Sequence, residues 1–520
     1  MSANLLAGDY RQRTLVYLAL GGSGARALEP LLHLCALGLG PAQLRVLLID
    51  PDQGNAAITR VGRVMDQYRV ARARLADAGA TGSFFRTEVV DALPDSRVWS
   101  PITDDDYMPD TRFAAGVDRQ VMDADAPELG VLFDLLNSRR VREMDLAMGF
   151  RGVPSVGTVF MNRLRDEAFF AQLLSQYHGA AGATVFFAAG SVFGGTGAAA
   201  LPVVGRALRD GVQQRPGTSA IRGAARARLG AALLLPYFTL PTPGGAPADG
   251  GPRPENALFA HNAAGALPSY LDRERDPGYG AYYLVGDGLP REQERNEVGG
   301  EAQANAAHYV EFFAALAALD FAARGGEETE DRLPIYRATG VGSDEPGWSD
   351  LPVDRGTRRA LKGALVALHT FLSFFRPNGG SPADLAAALH GVTWTELLRL
   401  PPVTWTDRSE ALDAVGQSWM STWEWLREMR RSTPALRLAA ATADRPTRVP
   451  THALIEGFGR GGQRGRRSDD VFSVFRAWNA EAARRRNGGF SAFMDVLRAG
   501  SERFTEDRFP EAEQPGHEEE

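Results

Sequence analysis

Cysteine and lysine are almost absent from this sequence. Cys35 is the only cysteine among 520 residues, which excludes a disulfide within the chain and any cysteine-based zinc cluster. Of 57 lysines and arginines only Lys362 is a lysine, and it lies in a helical pattern with no glycine loop before it. A P-loop NTPase, a protein kinase and a Schiff-base enzyme are therefore disfavoured. The eight histidines include no H-E-x-x-H pair, which disfavours a zinc protease.

Net positive charge and a clear membrane-spanning run are also missing. The formal net charge is −7 and the isoelectric point is near 5.8, which argues against nucleic acid as a partner. The uncharged stretch 179–205 contains seven glycines and a proline, so a strand, a glycine loop and a helix explain it better than a membrane span. The first residues lack the order of a signal peptide. We therefore expect a cytoplasmic protein with no transmembrane segment.

The first part of the chain alternates short apolar runs with amphipathic helical patterns. This alternation predicts an α/β fold with a largely parallel sheet. Strands are predicted at 14–20, 44–50, 184–190, 229–238 and 281–285, and helices at 24–37, 54–76, 158–176, 197–210, 255–271 and 301–324.

The character of the sequence changes near residue 325. Helical patterns at 357–376 and 408–431 follow, separated by tryptophan- and proline-bearing stretches. At 56.1 kDa the chain is long enough for two or three domains. We predict an α/β domain over 1–325, a mainly helical C-terminal domain over 326–500 that is a candidate surface for other proteins, and an acidic disordered tail over 501–520.

Glycine-rich segments each lie where a strand gives way to a helix, a placement that lets backbone N–H groups and the helix dipole face an anion. The first spans 21–27, the second 194–197, and a third spans 149–157. Read alone, the first segment leaves two interpretations open. Gly22-x-Gly24-x-x-Ala27 with Asp50 after the second strand fits a dinucleotide-binding motif, whereas a tight packing turn needs no ligand at all.

Four segments occur in a fixed order between these elements. They are Gly21-Gly22-Ser23-Gly24, Ile49-Asp50-Pro51-Asp52-Gln53, Arg151-Gly152-Val153-Pro154-Ser155-Val156-Gly157 and AGSVFGGTGAAALP at 189–202. This order resembles the nucleotide loops of the tubulin/FtsZ superfamily, which read G-G-x-G, N-T-D-A-Q, G-x-G-A-G-x-x-P-x-x-G and A-G-x-G-G-G-T-G-T-G-A-A-P. The resemblance covers about residues 12–325.

The sequence departs from the family pattern at the signature loop. Phe193 replaces its first glycine, one extra residue precedes it, and Ala198-Ala199 replace the later Thr-Gly. The chain between the second and third segments is also long. The divergent bacterial tubulin-like proteins are therefore a closer match than FtsZ or tubulin itself.

The resemblance implies a Rossmann-type domain with a central helix that binds GTP or GDP with Mg²⁺. It implies that Gly21, Gly22, Ser23 and Gly24 lie under the diphosphate and that Gly194, Gly195, Thr196 and Gly197 wrap the phosphates. It also implies that Gly152 and Val153 approach a γ-phosphate, and that Asp50 or Asp52 holds Mg²⁺ through water. Arg151 is an addition that could neutralise phosphate charge. The aspartates could instead cap a turn, and Arg151 could be a surface residue.

Base recognition in the family uses polar side chains near the sixth strand and on the central helix. Asn296 and Asn305 are the candidates here, since an amide can pair with a purine edge. The apolar stripe of the predicted helix 301–324 could instead bury Asn305, and we expect His308 and Tyr309 to be packing residues.

Hydrolysis in the family depends on an acid that follows the central helix and completes the site of the adjacent subunit. Asp320 resembles that motif but lies within the predicted helix, and Glu327 and Glu328 occupy the loop after it, which could equally be a solvated acidic loop. The sequence therefore favours a GTP-binding protein that assembles head to tail and is at most a slow GTPase. A non-catalytic tubulin-like scaffold in a multi-protein bacterial system and an NAD-dependent enzyme are the alternatives.

Overall fold

The computed structural model describes most of the α/β region and much of the C-terminal region. The described residues are 4–80, 82–102, 110–179, 183–212, 221–241, 252, 254–271, 278–288, 290–293, 300–301, 305–325, 335–338, 345–374, 409–432, 435–446, 449, 451–456, 469–485 and 488–509. Asn296, Glu327 and Glu328 lie outside them.

A parallel sheet forms the centre of the α/β region. Its strands are β1 (Thr14–Leu20), β2 (Gln43–Ile49), β3 (Glu88–Asp91), β4 (Val98–Trp99), β5 (Thr184–Ser191), β6 (Leu229–Leu234), β8 (Ala281–Val285) and β10 (Ile335–Ala338). The order across the sheet is β10-β8-β6-β5-β1-β2-β3. Strand β4 pairs with the last two residues of β2, after the part of β2 that pairs with β3. All of these pairs are parallel. Two further short strands, β7 (Phe238–Thr239) and β9 (Arg291–Glu292), pair with each other.

Fifteen α-helices lie in the part of the chain that the structure describes. They are α1 (Gly21–Ala36), α2 (Ala56–Asp77), α3 (Phe113–Gly116), α4 (Arg119–Asp125), α5 (Pro127–Leu136), α6 (Arg139–Arg142), α7 (Pro154–Met161), α8 (Ala168–Gly179), α9 (Thr196–Asp210), α10 (Asn256–Leu271), α11 (Tyr309–Arg324), α12 (Arg355–Phe374), α13 (Ser409–Arg431), α14 (Asp469–Arg484) and α15 (Gly489–Arg508). Helix α1 packs against both α2 and α11, and α9 packs against α7 and β5.

The central strands are buried over nearly their whole length. Every residue of β5 and β6 is buried, as expected where helices cover both faces of a parallel sheet. The chain order reverses between β1 and β5, because β2 and β3 lie on one side of β1 while β6 and β8 lie beyond β5. Ligands of open α/β sheets bind at the carboxyl ends of strands beside such a reversal.

The C-terminal helices share one continuous hydrophobic core with the sheet region. Trp419 on α13 packs edge-on against Phe84, with ring centroids 5.1 Å apart, and against Phe371 on α12 at 5.0 Å. The side chain of Thr422 on α13 lies 2.9 Å from Nδ1 of His33 on α1. Helix α13 is therefore fixed against α1 and α2.

The predicted α/β fold with a mainly parallel sheet is confirmed. The predicted strand 229–238 ends at Leu234, because Pro236 has no N–H with which to continue the ladder. The predicted helix 158–176 is wrong as one element, since α7 starts at Pro154 and a 3-10 turn at Asn162–Asp166 separates it from α8. Pro154 favours that start because proline suits the first position of a helix.

Two predicted boundaries also differ from the structure. Strand β10 pairs with β8, so the sheet takes a strand from beyond residue 325. The predicted tail over 501–520 is wrong in its first part, because α15 continues to Arg508. Its residue Ser501 is buried and accepts a hydrogen bond from the indole of Trp478 at 3.0 Å. Across the described part of the chain, no helix combines the length and apolarity that crossing a membrane requires.

Candidate functional site

A cavity of about 330 Å³ opens at the carboxyl ends of β1, β2 and β5, beside the reversal in strand order. Its lining includes most of the residues predicted for a ligand: Gly21, Gly22, Ser23, Asp50, Asp52, Arg151, Gly152, Gly194, Gly195, Thr196, Gly197 and Asn305. Gly24 and Val153 are absent from that lining. All four sequence segments therefore contribute to one cavity.

The first glycine segment forms the first turn of α1 instead of a separate loop. The first N–H groups of a helix have no partner within it, so Gly21, Gly22 and Ser23 present free donors and the positive end of the helix dipole to the cavity. Gly24 has a different task. A Cβ on Gly24 would lie 2.3 Å from the carbonyl oxygen of Ala189, so this glycine lets α1 pack closely on β5.

The fourth sequence segment, residues 189–202, is the signature segment. It turns from β5 into α9, which begins at Thr196. A Cβ on Gly195 would lie 2.8 Å from the carbonyl carbon of Phe150 and 2.9 Å from the amide nitrogen of Gly152. Glycine at this position therefore lets the signature segment touch the loop before α7. Thr196 is buried, and its hydroxyl lies at the N-terminus of α9 beside the cavity.

The loop before α7 has an unusual backbone. Arg151 has a φ of 45° and Gly152 a φ of 78°, both in the left-handed region, which a side chain such as that of arginine rarely adopts. Arg151 is buried and lines the cavity, so the interpretation as a surface arginine is wrong. Val153, the residue before α7, does not line the cavity.

Asn262 on α10 connects these two loops, a role that the sequence did not indicate. Its side-chain amide nitrogen donates to the carbonyl oxygen of Gly152 at 2.9 Å and to that of Phe193 at 3.1 Å. One amide group therefore holds the loop before α7 and the signature segment at a fixed separation.

Asp50 and Asp52 are both buried at the end of β2. Burial, together with a smaller effect of the neighbouring charge of Asp52, raises the pKa of Asp50 to about 8, although the backbone N–H of Asp52 donates to it at 3.1 Å. Burial also raises the pKa of Asp52, whose carboxylate accepts a hydrogen bond from the amide of Gly300 at 2.7 Å. The Asp52–Asp50 bond supplies the predicted turn cap, so the aspartates both cap the turn and face the cavity.

One wall of the cavity is apolar. Phe193 packs against Phe259 with ring centroids 4.9 Å apart and against Phe238 at 5.5 Å, and Leu240 and Pro254 continue this wall. Phe193, which replaces the family glycine, is buried and forms the centre of the wall. A flat apolar ligand group has a surface to contact here.

Asn305 reaches the cavity from a segment that precedes the central helix. The prediction that it lies on that helix is wrong, because α11 starts at Tyr309, where His308 and Glu311 form a capping box. The guanidinium of Arg26 on α1 donates to the carbonyl oxygens of Asn305 at 3.0 Å and Ala306 at 2.6 Å. The position of Asn305 is therefore set by Arg26.

A buried ion pair holds Arg26 in turn. Its Nε donates to Glu311 at 2.6 Å, and the hydroxyl of Tyr237 donates to the same carboxylate at 3.0 Å. His308 lies against Tyr237 and, with Tyr309, has the packing role that we predicted.

A second ion-pair network joins the cavity to the C-terminal helices. Arg60 on α2 pairs with Glu29 on α1 at 2.7 Å and with Glu428 on α13 at 2.9 Å. Glu428 also accepts a hydrogen bond at 3.2 Å from the amide of Ala307, two residues after Asn305. Arg26 and Arg60, which line the cavity together with Arg151, are thus neutralised by carboxylates.

Asp320 lies away from the cavity lining. Its carboxylate is buried within α11 and accepts hydrogen bonds from the hydroxyl of Tyr283 at 2.6 Å and from Arg324 at 2.8 Å. A carboxylate enclosed in this way is not exposed to a neighbouring molecule.

The electrostatics of the cavity suit an anion that arrives with a cation. The unpaired helix N–H groups attract negative charge, whereas the arginine–glutamate pairs leave Asp50 and Asp52 as the excess carboxylates. In the described part of the chain, no cluster of three or more His, Cys, Asp or Glu side chains is placed to hold a metal ion. A cation here would therefore take its remaining ligands from water or from a phosphate.

Several residues that line or support the cavity were not predicted from the sequence: Arg26, Asn55, Arg60, Asn262 and the aromatic wall. Asn55, the N-cap of α2, had a recognisable signal, because an asparagine before an apolar-periodic segment is a standard helix start. The others become visible only once distant elements are brought together.

Searches against family models, curated proteins and solved structures found no match for this chain. The tubulin/FtsZ resemblance therefore rests on the four segments and on their convergence at one cavity.

Proposed function

We propose that this protein binds a guanine nucleotide, GTP or GDP, with Mg²⁺ in the cavity at the carboxyl edge of the sheet, as a divergent bacterial tubulin-like protein. The observation that carries the proposal is the convergence of all four sequence segments on that single cavity. The order of strands around the β1–β5 reversal is the order expected for a nucleotide site.

The phosphates would occupy the side of the cavity lined by the starts of α1 and α9. Gly22 and Ser23 line it at the start of α1, and Thr196 and Gly197 line it at the start of α9. Two helix dipoles therefore point their positive ends at one position, which suits a diphosphate. Arg151 and the loop before α7 would close the site over a third phosphate.

Asp50 and Asp52 fit a divalent cation held through water. The raised pKa of Asp50 reports a buried carboxylate whose charge a backbone N–H offsets only in part. Asp50 and Asp52 would hold Mg²⁺ through water, and the cation would offset negative charge on the carboxylates and on the phosphates.

Asn305 and the aromatic wall would contact the nucleoside. An asparagine amide offers both a donor and an acceptor to the edge of a purine, and the Phe193, Phe238 and Phe259 rings offer apolar surface. The NAD alternative is weaker, because a dinucleotide site needs only the first segment, whereas all four segments line this cavity.

Head-to-tail assembly with nucleotide between subunits remains part of this proposal, and Glu327 and Glu328 are the acids we favour for it. The alternative is a scaffold that binds nucleotide without turnover. It is supported by the engagement of Glu29 and Glu311 in ion pairs with Arg60 and Arg26, which leaves these two acids poorly suited to activate water. In either case the C-terminal helices are the candidate surface for other proteins.

Two measurements on the full-length chain test the proposal. The first is the mass of any small molecule released when the purified protein is denatured, which we expect to be GDP or GTP. The second is calorimetry with GTP, ATP and NAD in the presence of Mg²⁺, where we expect micromolar or tighter binding of GTP and weaker binding of ATP. Tight NAD binding without guanine-nucleotide binding would overturn the proposal in favour of the dinucleotide alternative.

A further inference from the structure

The helix α5 exposes apolar side chains that the rest of the described chain leaves uncovered. Leu129, Val131, Leu132, Leu135 and Leu136 are between 49% and 78% exposed. With about 100° of rotation per residue, these five side chains share one side of the helix. Gly130 and Phe133 lie on the opposite side, toward the protein.

Contacts to α3, α4 and α6 hold the inner side of α5 in place. The fold therefore keeps the apolar outer side of the helix exposed. Phe133 packs against Phe113 on α3 with ring centroids 5.2 Å apart. Asp134 pairs with Arg119 on α4 at 2.9 Å and also with Arg142 on α6. The helix thus turns its polar and aromatic contacts inward and its leucines outward, the reverse of a solvent-facing helix.

Exposed clusters of this kind mark contact surfaces, and the charges around this one indicate the occupant. Asp125 and Glu128 lie exposed at the start of α5, whereas Arg139 and Arg140 lie exposed just after its end. One end of the apolar surface is therefore acidic and the other is basic.

We infer that α5 is the contact surface of a homodimer, in which α5 of a second copy lies antiparallel across it. A two-fold axis through the middle of the helix would bring the acidic end of each copy to the basic end of the other. An isologous contact requires this kind of self-complementarity. The leucines of both copies would form the apolar centre.

The charge distribution disfavours a membrane surface as the occupant. Residues 110–145 contain eight acidic residues and five arginines, so an anionic lipid surface would be repelled. The contact is also independent of the nucleotide proposal, because none of the α5 residues lines the cavity.

The surface is nevertheless linked to the cavity through a row of aromatic rings. Phe133 packs against Phe113. The ring centroid of Phe113 lies 6.1 Å from that of Phe160 on α7, and the ring of Phe160 stacks on that of Phe150 with centroids 6.4 Å apart. Phe150 belongs to the loop that contacts Gly195. Dimer formation at α5 would therefore stabilise the loop before α7 through these ring contacts.

Sedimentation of the full-length chain over a dilution series, without added nucleotide, tests the inference. We expect a monomer–dimer equilibrium in the wild-type protein. The double variant Leu132→Asn/Leu135→Asn should raise the dimer dissociation constant by about 100-fold or more, because each change removes an apolar contact twice in the dimer. Val70→Gln on α2, which alters a side chain 50% exposed outside this surface, is the matched control and should leave the constant unchanged.

Charge reversal tests the antiparallel arrangement. Asp125→Arg/Glu128→Arg makes both ends of the surface basic, and Arg139→Glu/Arg140→Glu makes both ends acidic. Each variant alone should be monomeric, and an equimolar mixture should form heterodimers. A wild-type monomer at every concentration would overturn the inference. So would a dimer that the leucine changes leave intact, or a mixture of the charge-reversed variants that remains monomeric.

Discussion

Gly195 is the residue at which the signature segment meets the loop before α7. We predict that Gly195→Val weakens GTP binding by at least about tenfold, since the new side chain would collide with backbone atoms of Phe150 and Gly152 less than 3 Å away. Calorimetry with GTP and Mg²⁺ measures the change.

Gly265 on α10 provides the matched control, because a Cβ there has no atom within 4 Å. Gly265→Ala should leave GTP affinity unchanged and raise the melting temperature slightly, since alanine favours a helix by roughly 1 kcal/mol over glycine. Equal GTP affinity in both glycine variants would mean that the signature segment is only a packing turn.

His369 on α12 gives a prediction at the same scale for the C-terminal helices. Burial lowers its pKa from 6.5 to about 4, although Nε2 contacts the carbonyl oxygens of Pro446 at 3.1 Å and Val449 at 2.9 Å. The neutral ring donates through Nε2, and among the described residues Nδ1 has no acceptor for a second proton.

The unfolded chain therefore binds a proton at His369 below pH 6.5, while the folded chain does so only near pH 4. The stability that this residue contributes is fully present above pH 6.5 and decreases by about 3 kcal/mol as the pH falls toward 4. Chemical denaturation at several pH values should show a shallower loss in His369→Gln. An identical slope in both proteins would contradict the assigned pKa.

Single residues also show where the sequence pattern was ambiguous. Gly22 and Gly24 occupy equivalent places in the motif, yet Gly22 lines the cavity and Gly24 packs α1 against Ala189. A Cβ on Gly24 would lie 2.3 Å from the carbonyl oxygen of Ala189, whereas a Cβ on Gly22 would lie 3.1 Å from Nδ2 of Asn55. Only the fold shows which of the two glycines packs against the sheet and which lines the cavity.

At the scale of elements, α10 supports both loops that we propose to face the phosphates. We predict that Asn262→Ala weakens GTP binding by roughly tenfold and GDP binding by less, because the freed loop before α7 is the one proposed to face the third phosphate. Titration with both nucleotides gives the ratio of affinities.

Asn256 on the same helix is the matched control. Its side chain makes two comparable hydrogen bonds to the backbone of Leu240, at 2.7 Å each, but none to either loop. Asn256→Ala should therefore leave the ratio of GTP to GDP affinity unchanged. An equal effect of both asparagine variants on that ratio would mean that Asn262 has no particular role in holding the loops.

Strands were more predictable than helix ends. Buried runs such as those of β1 and β5 follow directly from continuous apolar sequence, and their bounds agree with the structure within one residue. The start of α11 was misplaced because its capping box uses His308, which is not among the usual N-cap residues. Asn305 therefore lies before the helix instead of on it, but it still lines the cavity.

At the scale of the whole molecule, the sequence indicated which loops matter but not how the C-terminal helices reach them. Glu428 lies more than 300 residues from Arg60 in the chain, yet it is bonded to Arg60 and to the backbone beside Asn305. No local pattern marks such a pair, because its two members belong to different periodic elements. The C-terminal region is therefore part of the site's support and not an independent attachment.

The last prediction concerns turnover, which we expect to require contact between molecules. Phosphoryl transfer needs an oriented water, and the acids proposed for that task follow α11. GTP hydrolysis per molecule should therefore be very slow in dilute protein and should rise steeply with protein concentration. Glu327→Gln/Glu328→Gln should abolish the rise without changing GTP affinity. Asp320→Asn should instead lower the melting temperature, because it disturbs the buried bonds to Tyr283 and Arg324, and should leave the rise in place.

The variant Leu132→Asn/Leu135→Asn separates this head-to-tail contact from the α5 dimer. If hydrolysis requires only the head-to-tail contact, the rate should still rise with concentration when the α5 surface is disabled. A rate that is fast and independent of concentration would refute the shared site, because one molecule would then hold every catalytic group. Absence of hydrolysis at all concentrations, with GTP bound, would instead identify the protein as a nucleotide-binding scaffold.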